Sequence, residues 1–249
     1  MISRNDGLKL RPKLEEVRKR LEHLQTVSPI AFLVSRVSYG HSGLPVSQTG
    51  SADADPEGHL SLQYGQELNL SGWFFVLGLK RIREKFAVDE DKLLEVLAPT
   101  PLIASDRHSF VKEGIRAHLD GDYFKSIHVL VPQVENMLRE MLRFLRLPRS
   151  KRVTGRTGIT QLKTMGDVLR DARIVDILDE DLRWFLTHLF IEQQGFNLRN
   201  DLSHGIAPAT IFNEQVSAMV LQSVILLSAI REDHIFLDGR LSDEGASGI

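Results

Sequence analysis

The 249-residue sequence contains no cysteine. That removes disulfide scaffolds, cysteine-ligated zinc, iron–sulfur clusters and thiol catalysis from consideration. It also lacks an excess of either charge, with 31 Lys and Arg against 33 Asp and Glu for a formal net charge of −2. Contact with nucleic acid would therefore have to come from a local basic patch. Long hydrophobic runs are missing: AMVLQSVILLSAI (218–230) is interrupted by polar residues and too short to span a bilayer. The opening MISRNDGLKLRPK has no apolar h-region, so no signal peptide is expected. Familiar enzyme signatures are absent too. There is no Gly-rich loop with a following Lys-Ser/Thr, no HExxH and no GxSxG, and VTGRTGITQ lacks the spacing and flanking strand of a dinucleotide site. What remains is ordinary globular material, 42% apolar and 26% charged. At roughly 100–200 residues per domain, the length allows one large or two modest domains. The expectation is a soluble, cytoplasmic protein with a real core and no membrane span.

Helical periodicity dominates the apolar pattern. Leu10, Leu14, Val17, Leu21 and Leu24 form one stripe, predicting a helix over Leu10–Gln25 with Pro12 in its first turn. Pro29–Val37 is apolar but too short to assign between helix and strand. Residues 39–66, with GHSGLPVSQTGSADADPEGH, read as one long flexible loop. Helices are predicted over Leu70–Phe86 and Val88–Leu97, and the PTP at 99–101 marks the boundary between an N-terminal extension (1–100) and a C-terminal domain (101–249). Further helices are predicted over Phe110–Leu119, Asp122–Leu145, Asp181–Gln194 and Thr210–Ile230. Pro132 should kink or restart the second of these, and Thr210 is a candidate N-cap for the last. The fold class is all-α: a helical bundle with a helical N-terminal extension. The tail DGRLSDEGASGI is expected to be frayed.

One segment concentrates chemistry: NLRNDLSHG, residues 197–205. On a helix Asn200 and His204, four apart, share a face, while Arg199 lies about 140° round from His204 at 100° per residue but can reach back. Around a phosphodiester the three have complementary uses. His exchanges protons near neutral pH. Arg offers a planar fork to phosphate oxygens. Asn can orient either or bind a ribose hydroxyl. The alternative stays open, because an Arg-Asn pair and a terminal His at a helix C-end are also what capping and the helix dipole favour.

RNDLSHG resembles the Arg-x4-6-His motif of the HEPN superfamily, small α-helical domains that include many metal-independent ribonucleases and toxins. The order GDYFKSIHVLVPQVENMLREML, then GFNLRNDLSHG about sixty residues later, is similar to the domain of unknown function 4209 over roughly residues 100–231. The resemblance implies a HEPN-like bundle, a catalytic set of Arg199, Asn200 and His204, and Ser203 in support. It implies an endoribonuclease acting without cofactor or metal on single-stranded or loop RNA by 2′-hydroxyl attack. Glu135 on the long helix is a candidate for holding Arg199 or polarising His204, or else a solvent-facing carboxylate. A homodimer with a composite active site is implied as well, its interface supplied by an apolar helix surface in the C-terminal half. The biological setting would be a toxin or antiviral effector, restrained by an antitoxin or regulatory protein. The competing reading is a non-catalytic HEPN-like module that binds RNA, nucleotide or protein.

Between Met141 and Gly166 there is no acidic residue, whereas Arg143, Arg146, Arg149, Lys151, Arg152, Arg156 and Lys163 are basic. This reads as a flexible cationic loop, with Arg146, Arg149, Lys151, Arg152 and Arg156 the candidate RNA contacts, or as a solvated loop whose charge serves solubility or a protein partner. Lys80, Arg81 and Arg83 read as an exposed helix face. The other histidines show no ligand spacing: His23, His118, His128 and His188 fall on helices, His41 and His59 in the 39–66 loop. Trp73 and Trp184 fall on apolar stripes and read as packing.

Overall fold

A computed structural model describes residues 10–39, 45–153, 158–175 and 177–230. The architecture is all-α. Its helices are α1 (Leu14–Val27), α2 (Pro56–Phe86), α3 (Glu90–Leu97), α4 (His108–Leu119), α5 (Tyr123–Phe144), α6 (Met165–Leu169), α7 (Ala172–Val175), α8 (Glu180–Phe190), α9 (Leu198–His204) and α10 (Glu214–Ser228). Two antiparallel hairpins interrupt them, β1 (Arg36–Tyr39) with β2 (Pro45–Thr49) and β3 (Ser150–Arg152) with β4 (Thr160–Leu162). Among the described residues no helix is long and apolar enough to cross a membrane.

Local chemistry sets the helix starts. Asp55, Asp89, Asp122, Asp179 and Asn213 each accept an N-terminal backbone N–H through the side chain. The last helix therefore begins at Asn213, with Thr210 in the preceding 3₁₀ turn rather than at the cap. α1 starts four residues later than its periodicity suggests, because the Leu14 N–H is drawn to Asp181 Oδ1 at 2.8 Å. α5 runs continuously through Pro132, with no restart.

α5 lies against α4, α6 and α10, and α2 against α1, α8 and α10. α10 is enclosed on nearly every side; Val216, Met219, Val220, Leu221, Val224 and Leu227 are sealed from water. The helices before residue 101 share this core: Leu14, Val17, Leu60, Tyr64 and Leu68 belong to one cluster with Leu138, Phe185 and Leu227.

The long loop expected over 39–66 is corrected. β2 occupies Pro45–Thr49 and α2 begins at Pro56; only 40–44 of that stretch lie outside the described residues. Asp55 caps α2, Pro56 fits its first turn, and Leu60, Tyr64 and Leu68 supply a buried stripe. The Gly-rich composition that suggested a loop has a packing reason at Gly65, where an added Cβ would stand 2.4 Å from the Gln194 carbonyl oxygen. His59 is consequently a buried helical residue, its Nε2 3.0 Å from the Gly50 carbonyl. Pro29–Val37 divides into a 3₁₀ turn (Pro29–Phe32) and the start of β1. The tail from residue 231 and His41 lie outside the described residues.

Trp184 packs as expected, stacked on His188 with ring centroids 4.8 Å apart and tilted against Tyr64. Trp73 does not: it is 53% exposed.

The turn after α8 sets how the chain enters α9. The His188 carbonyl accepts from Phe196 N–H at 2.8 Å, and a Cβ on Gly195 would stand 2.0 Å from that oxygen. Gly195→Ala should therefore cost about 1–3 kcal/mol, as overpacking against fixed backbone does. Thermal unfolding checks this, and an unchanged midpoint would show that the turn yields freely.

Candidate functional site

α9 is held at both ends by left-handed residues. Asn197 enters it at φ 49° and Gly205 leaves it at φ 67°, conformations that Asn and Gly adopt at least cost. Leu198 is fully buried and anchors the helix to the core. Asn197 Nδ2 donates to Asp201 Oδ1 at 2.7 Å, and Asn200 Nδ2 donates to Asn197 Oδ1 at 2.7 Å. Asn200 is thus part of the helix-entry lock and also approaches the Ile191 carbonyl at 3.4 Å. Ser203 Oγ donates to the Arg199 carbonyl at 2.7 Å, a bond within the helix.

Arg199 reaches across to α5. Its Nε donates to Glu135 Oε2 at 3.1 Å and its Nη2 to Glu135 Oε1 at 3.2 Å, a two-point contact between residues 64 apart in sequence. Glu135 is therefore not solvent-facing. It is buried, and it also accepts from Arg139 Nη2 and from the Met165 backbone N–H at 3.2 Å. Arg139 in turn donates through Nε to the Lys163 carbonyl at 2.8 Å, just past β4. One carboxylate thus ties α9, α5, α6 and the β3–β4 hairpin together. Arg139 escaped the sequence reading, although its place four residues after Glu135 on one helix is a legible ion-pair spacing.

His204 sits at the exposed C-terminal end of α9 and makes no hydrogen bond among the described residues. The residue is exposed to solvent.

The cationic stretch is a short hairpin rather than a plain loop, with Lys151 paired to Gln161 and Arg152 to Thr160 in register. Nor is it bare. Carboxylates from outside the stretch reach it: Arg143 and Arg149 both bond Glu140, the latter at 3.1 Å, and Lys151 bonds Asp167 at 2.7 Å. Lys163 bonds Asp171 at 2.9 Å, and Arg173 also grips that carboxylate. The Arg173 hydrogen bonds, and then that of Lys163, hold the Asp171 carboxyl well below the usual range. Arg146 and Arg152 are exposed and make no ion pair among the described residues; Arg156 lies outside them. Four carboxylates (Glu135, Glu140, Asp167 and Asp171) are thus shared by seven cations, Arg139, Arg143, Arg149, Lys151, Lys163, Arg173 and Arg199, with Arg146 and Arg152 outside these ion pairs. The surplus is positive.

Between α2, the 194–196 turn and the start of α10 opens a cleft of about 370 Å³, lined by Asn69, Gln194, Phe196, Thr210, Asn213 and Gln215 among others. Its lining is uncharged and rich in amides. Among the described residues no three His, Asp or Glu side chains gather closely enough to hold a metal ion. No family model, curated protein or solved structure matches this chain.

Proposed function

We propose that this protein is a HEPN-type endoribonuclease that cleaves single-stranded or loop RNA, with His204 and Arg199 at the reacting phosphate. The observation that supports this most is the Glu135 junction. It joins the helix carrying Arg199 and His204 to a hairpin with surplus positive charge, two features 36 residues or more apart in sequence. Phosphates drawn to the hairpin by Arg146 and Arg152 would run toward α9, in contacts that weaken as salt rises. The uncharged amides of the cleft at the 194–196 turn, which leads into α9, offer donors and acceptors of the kind a nucleobase edge meets.

In the cleavage step His204 takes the 2′-hydroxyl proton as that oxygen attacks phosphorus. The bond from phosphorus to the 5′-oxygen breaks, and the departing oxygen takes a proton from a second acid. The products are a 2′,3′-cyclic phosphate and a 5′-hydroxyl. Arg199, with Nε and Nη2 fixed by Glu135, keeps its Nη1 edge for the phosphorane oxygens. Asn200 holds the helix entry rather than the substrate. A second copy would supply a second His204 as the acid, which is the argument for a homodimer around this chemistry.

A second reading has its own observation. Arg199 and Asn200 are both engaged inside the protomer, as residues kept for structure would be, and that favours a non-catalytic RNA-binding module. Incubating wild type and His204→Ala with mixed-sequence single-stranded RNA in EDTA separates the two. Cleavage leaving 2′,3′-cyclic ends, reduced at least about 100-fold in the variant, is the expected result. Equal RNA binding with no cleavage by either protein would sink the enzyme reading and leave the binding module.

A further inference from the structure

A cavity of about 220 Å³ opens where the second half of α2 meets the end of α4 and the starts of α5 and α10. None of its lining residues belongs to α9 or to either hairpin. Val76, Leu79 and Ala218 give it an apolar side, and its polar side comes from four helices. His118 of α4 is 7% exposed, with Nδ1 2.8 Å from Ser217 Oγ, and Ser217 Oγ donates to Ser126 Oγ at 3.0 Å. That chain leaves Ser217 to accept from Nδ1–H, so Nε2 is the bare acceptor of a neutral ring. Tyr123 of α5 stands beside it, with ring centroids 5.9 Å apart. Neither His118 Nε2 nor the Tyr123 hydroxyl has a hydrogen-bond partner among the described residues. Lys80 is neutralised by Glu214 at 2.8 Å. Arg83 is not: its Nη1 donates to the Leu119 carbonyl at 2.8 Å, while Nε and Nη2 make no ion pair among the described residues.

We propose that this cavity binds a small hydroxycarboxylate, with the carboxylate on the free edge of Arg83 and the hydroxyl donating to His118 Nε2. The chemistry of the lining selects that class. Lys80, Arg83 and Glu214 all act on the His118 ring and on Tyr123, so the charge felt inside the cavity sums to one positive. The exposed Asp120 acts on Arg116 instead. A monoanion cancels that surplus, whereas a phosphate dianion would leave negative charge beside Glu214. The planar Arg83 edge matches the two oxygens of a carboxylate, and the Tyr123 hydroxyl is a further donor to them. Burial keeps the His118 ring uncharged at neutral pH, so Nε2 calls for a donor rather than another anion. A carboxylate without a hydroxyl would leave that buried nitrogen unpaired, which costs affinity. The apolar side and the few convergent polar groups are what a small-molecule site requires, and the volume admits only a compact ligand.

The site shares no residue with the catalytic set proposed above, and its test needs no RNA. Titration calorimetry of the full chain with glycolate, lactate and 3-hydroxybutyrate should show binding by at least one of them. Propionate and butyrate, the same skeletons without the hydroxyl, should bind at least about 10-fold more weakly than lactate and 3-hydroxybutyrate. Arg83→Gln should weaken binding by about 10-fold or more, and Tyr123→Phe by about 3–10-fold. Both variants leave the His118–Ser217–Ser126 chain in place, and circular dichroism checks that they fold. The bound ligand should also move the His118 ring nitrogen resonances and leave those of His188, bonded at both nitrogens, where they were. Four results would each overturn the proposal: no binding of any of the three at about 20 mM, equal binding with and without the hydroxyl, full affinity in Arg83→Gln, or His118 resonances that stay put. Inorganic phosphate bound more tightly than all three would overturn the assignment to a carboxylate.

Discussion

Glu135→Ala is expected to lower stability by about 3 kcal/mol. The carboxylate accepts four hydrogen bonds, from Arg199 Nε and Nη2, Arg139 Nη2 and the Met165 N–H. Removing it leaves two guanidinium groups side by side with no countercharge. Breaking a buried pair in this way costs about 3–5 kcal/mol. The Arg199 and Arg139 side chains are 24% and 22% exposed, so water takes up part of that cost and the lower end applies. Glu135→Gln keeps the shape and one carbonyl acceptor but turns an amide donor toward the arginines, and it should cost about 1–2 kcal/mol. Urea unfolding of both variants beside Arg199→Ala and the double variant gives the coupling between the two residues, expected at roughly 1–3 kcal/mol. A Glu135→Ala midpoint within about 0.5 kcal/mol of wild type would show that the junction carries no stability. Under the proposed function, Glu135→Gln should also lower cleavage by more than its stability loss explains, because Arg199 is released from its orientation.

Acid should unfold this protein in a window set by two histidines. His118 and His188 are both buried, and burial pushes each down from 6.5 to about 4. Around His118, Glu214 opposes that shift while Arg83 and Lys80 add to it. His188 has its Nδ1 3.0 Å from the Trp184 carbonyl and its Nε2 2.9 Å from Ser61 Oγ, which stabilises a neutral ring donating through Nδ1 and accepting through Nε2. Above pH 6.5 both rings are neutral whether folded or unfolded, and titration contributes nothing. Below 6.5 the unfolded chain takes up protons that the folded chain refuses until about 4, so stability falls as pH falls through that interval. At about 1.36 kcal/mol per pH unit, each histidine should remove about 2 kcal/mol by pH 5 and about 3 kcal/mol by pH 4. Together that is a large share of the roughly 5–15 kcal/mol a domain commands. The Asp171 ion pairs act lower: a carboxylate with a depressed pKa gives up its contribution only below about 3.8. Urea midpoints at pH 7, 6, 5 and 4 test the slope, and imidazole proton resonances test its source. Two rings should stay neutral throughout the native range down to pH 5. A flat urea midpoint from pH 7 to pH 5 would rule the account out.

The two results bear on different parts of the molecule. Acid acts on the packing of α2 against α8 and of α4 against α10, where His188 meets Ser61 and His118 meets Ser217 at 2.8 Å. Glu135 acts on the junction between α9 and the hairpin. Under the proposed function, a variant that loses RNA cleavage but keeps its acid profile therefore has an altered site, not a loosened core.

The sequence by itself determined the helices whose apolar spacing is complete within one segment: α1, α4, α5, α8 and α10, together with the short α9 ended by Gly205. It also placed Arg199, Asn200 and His204 on one helix, and it named Glu135 as a possible holder of Arg199. Those are local properties, because a helix period repeats every few residues and a cap acts over three or four. The tertiary structure decided what depends on distant partners. The first half of α2 was hidden by glycine and serine, since its burial comes from α1 and α8 rather than from its own composition. The β3–β4 strands are three residues each, with Leu162 the one apolar side chain among SKR and TQL, too short and too polar for an alternation to be legible. The cationic stretch lost much of its free charge to Glu140, Asp167 and Asp171, which lie outside it in sequence. Trp73, on an apolar stripe like Trp184, is exposed because no helix among the described residues covers it. Periodicity says which side chains share a face; only the folded chain decides whether anything covers that face or neutralises its charge.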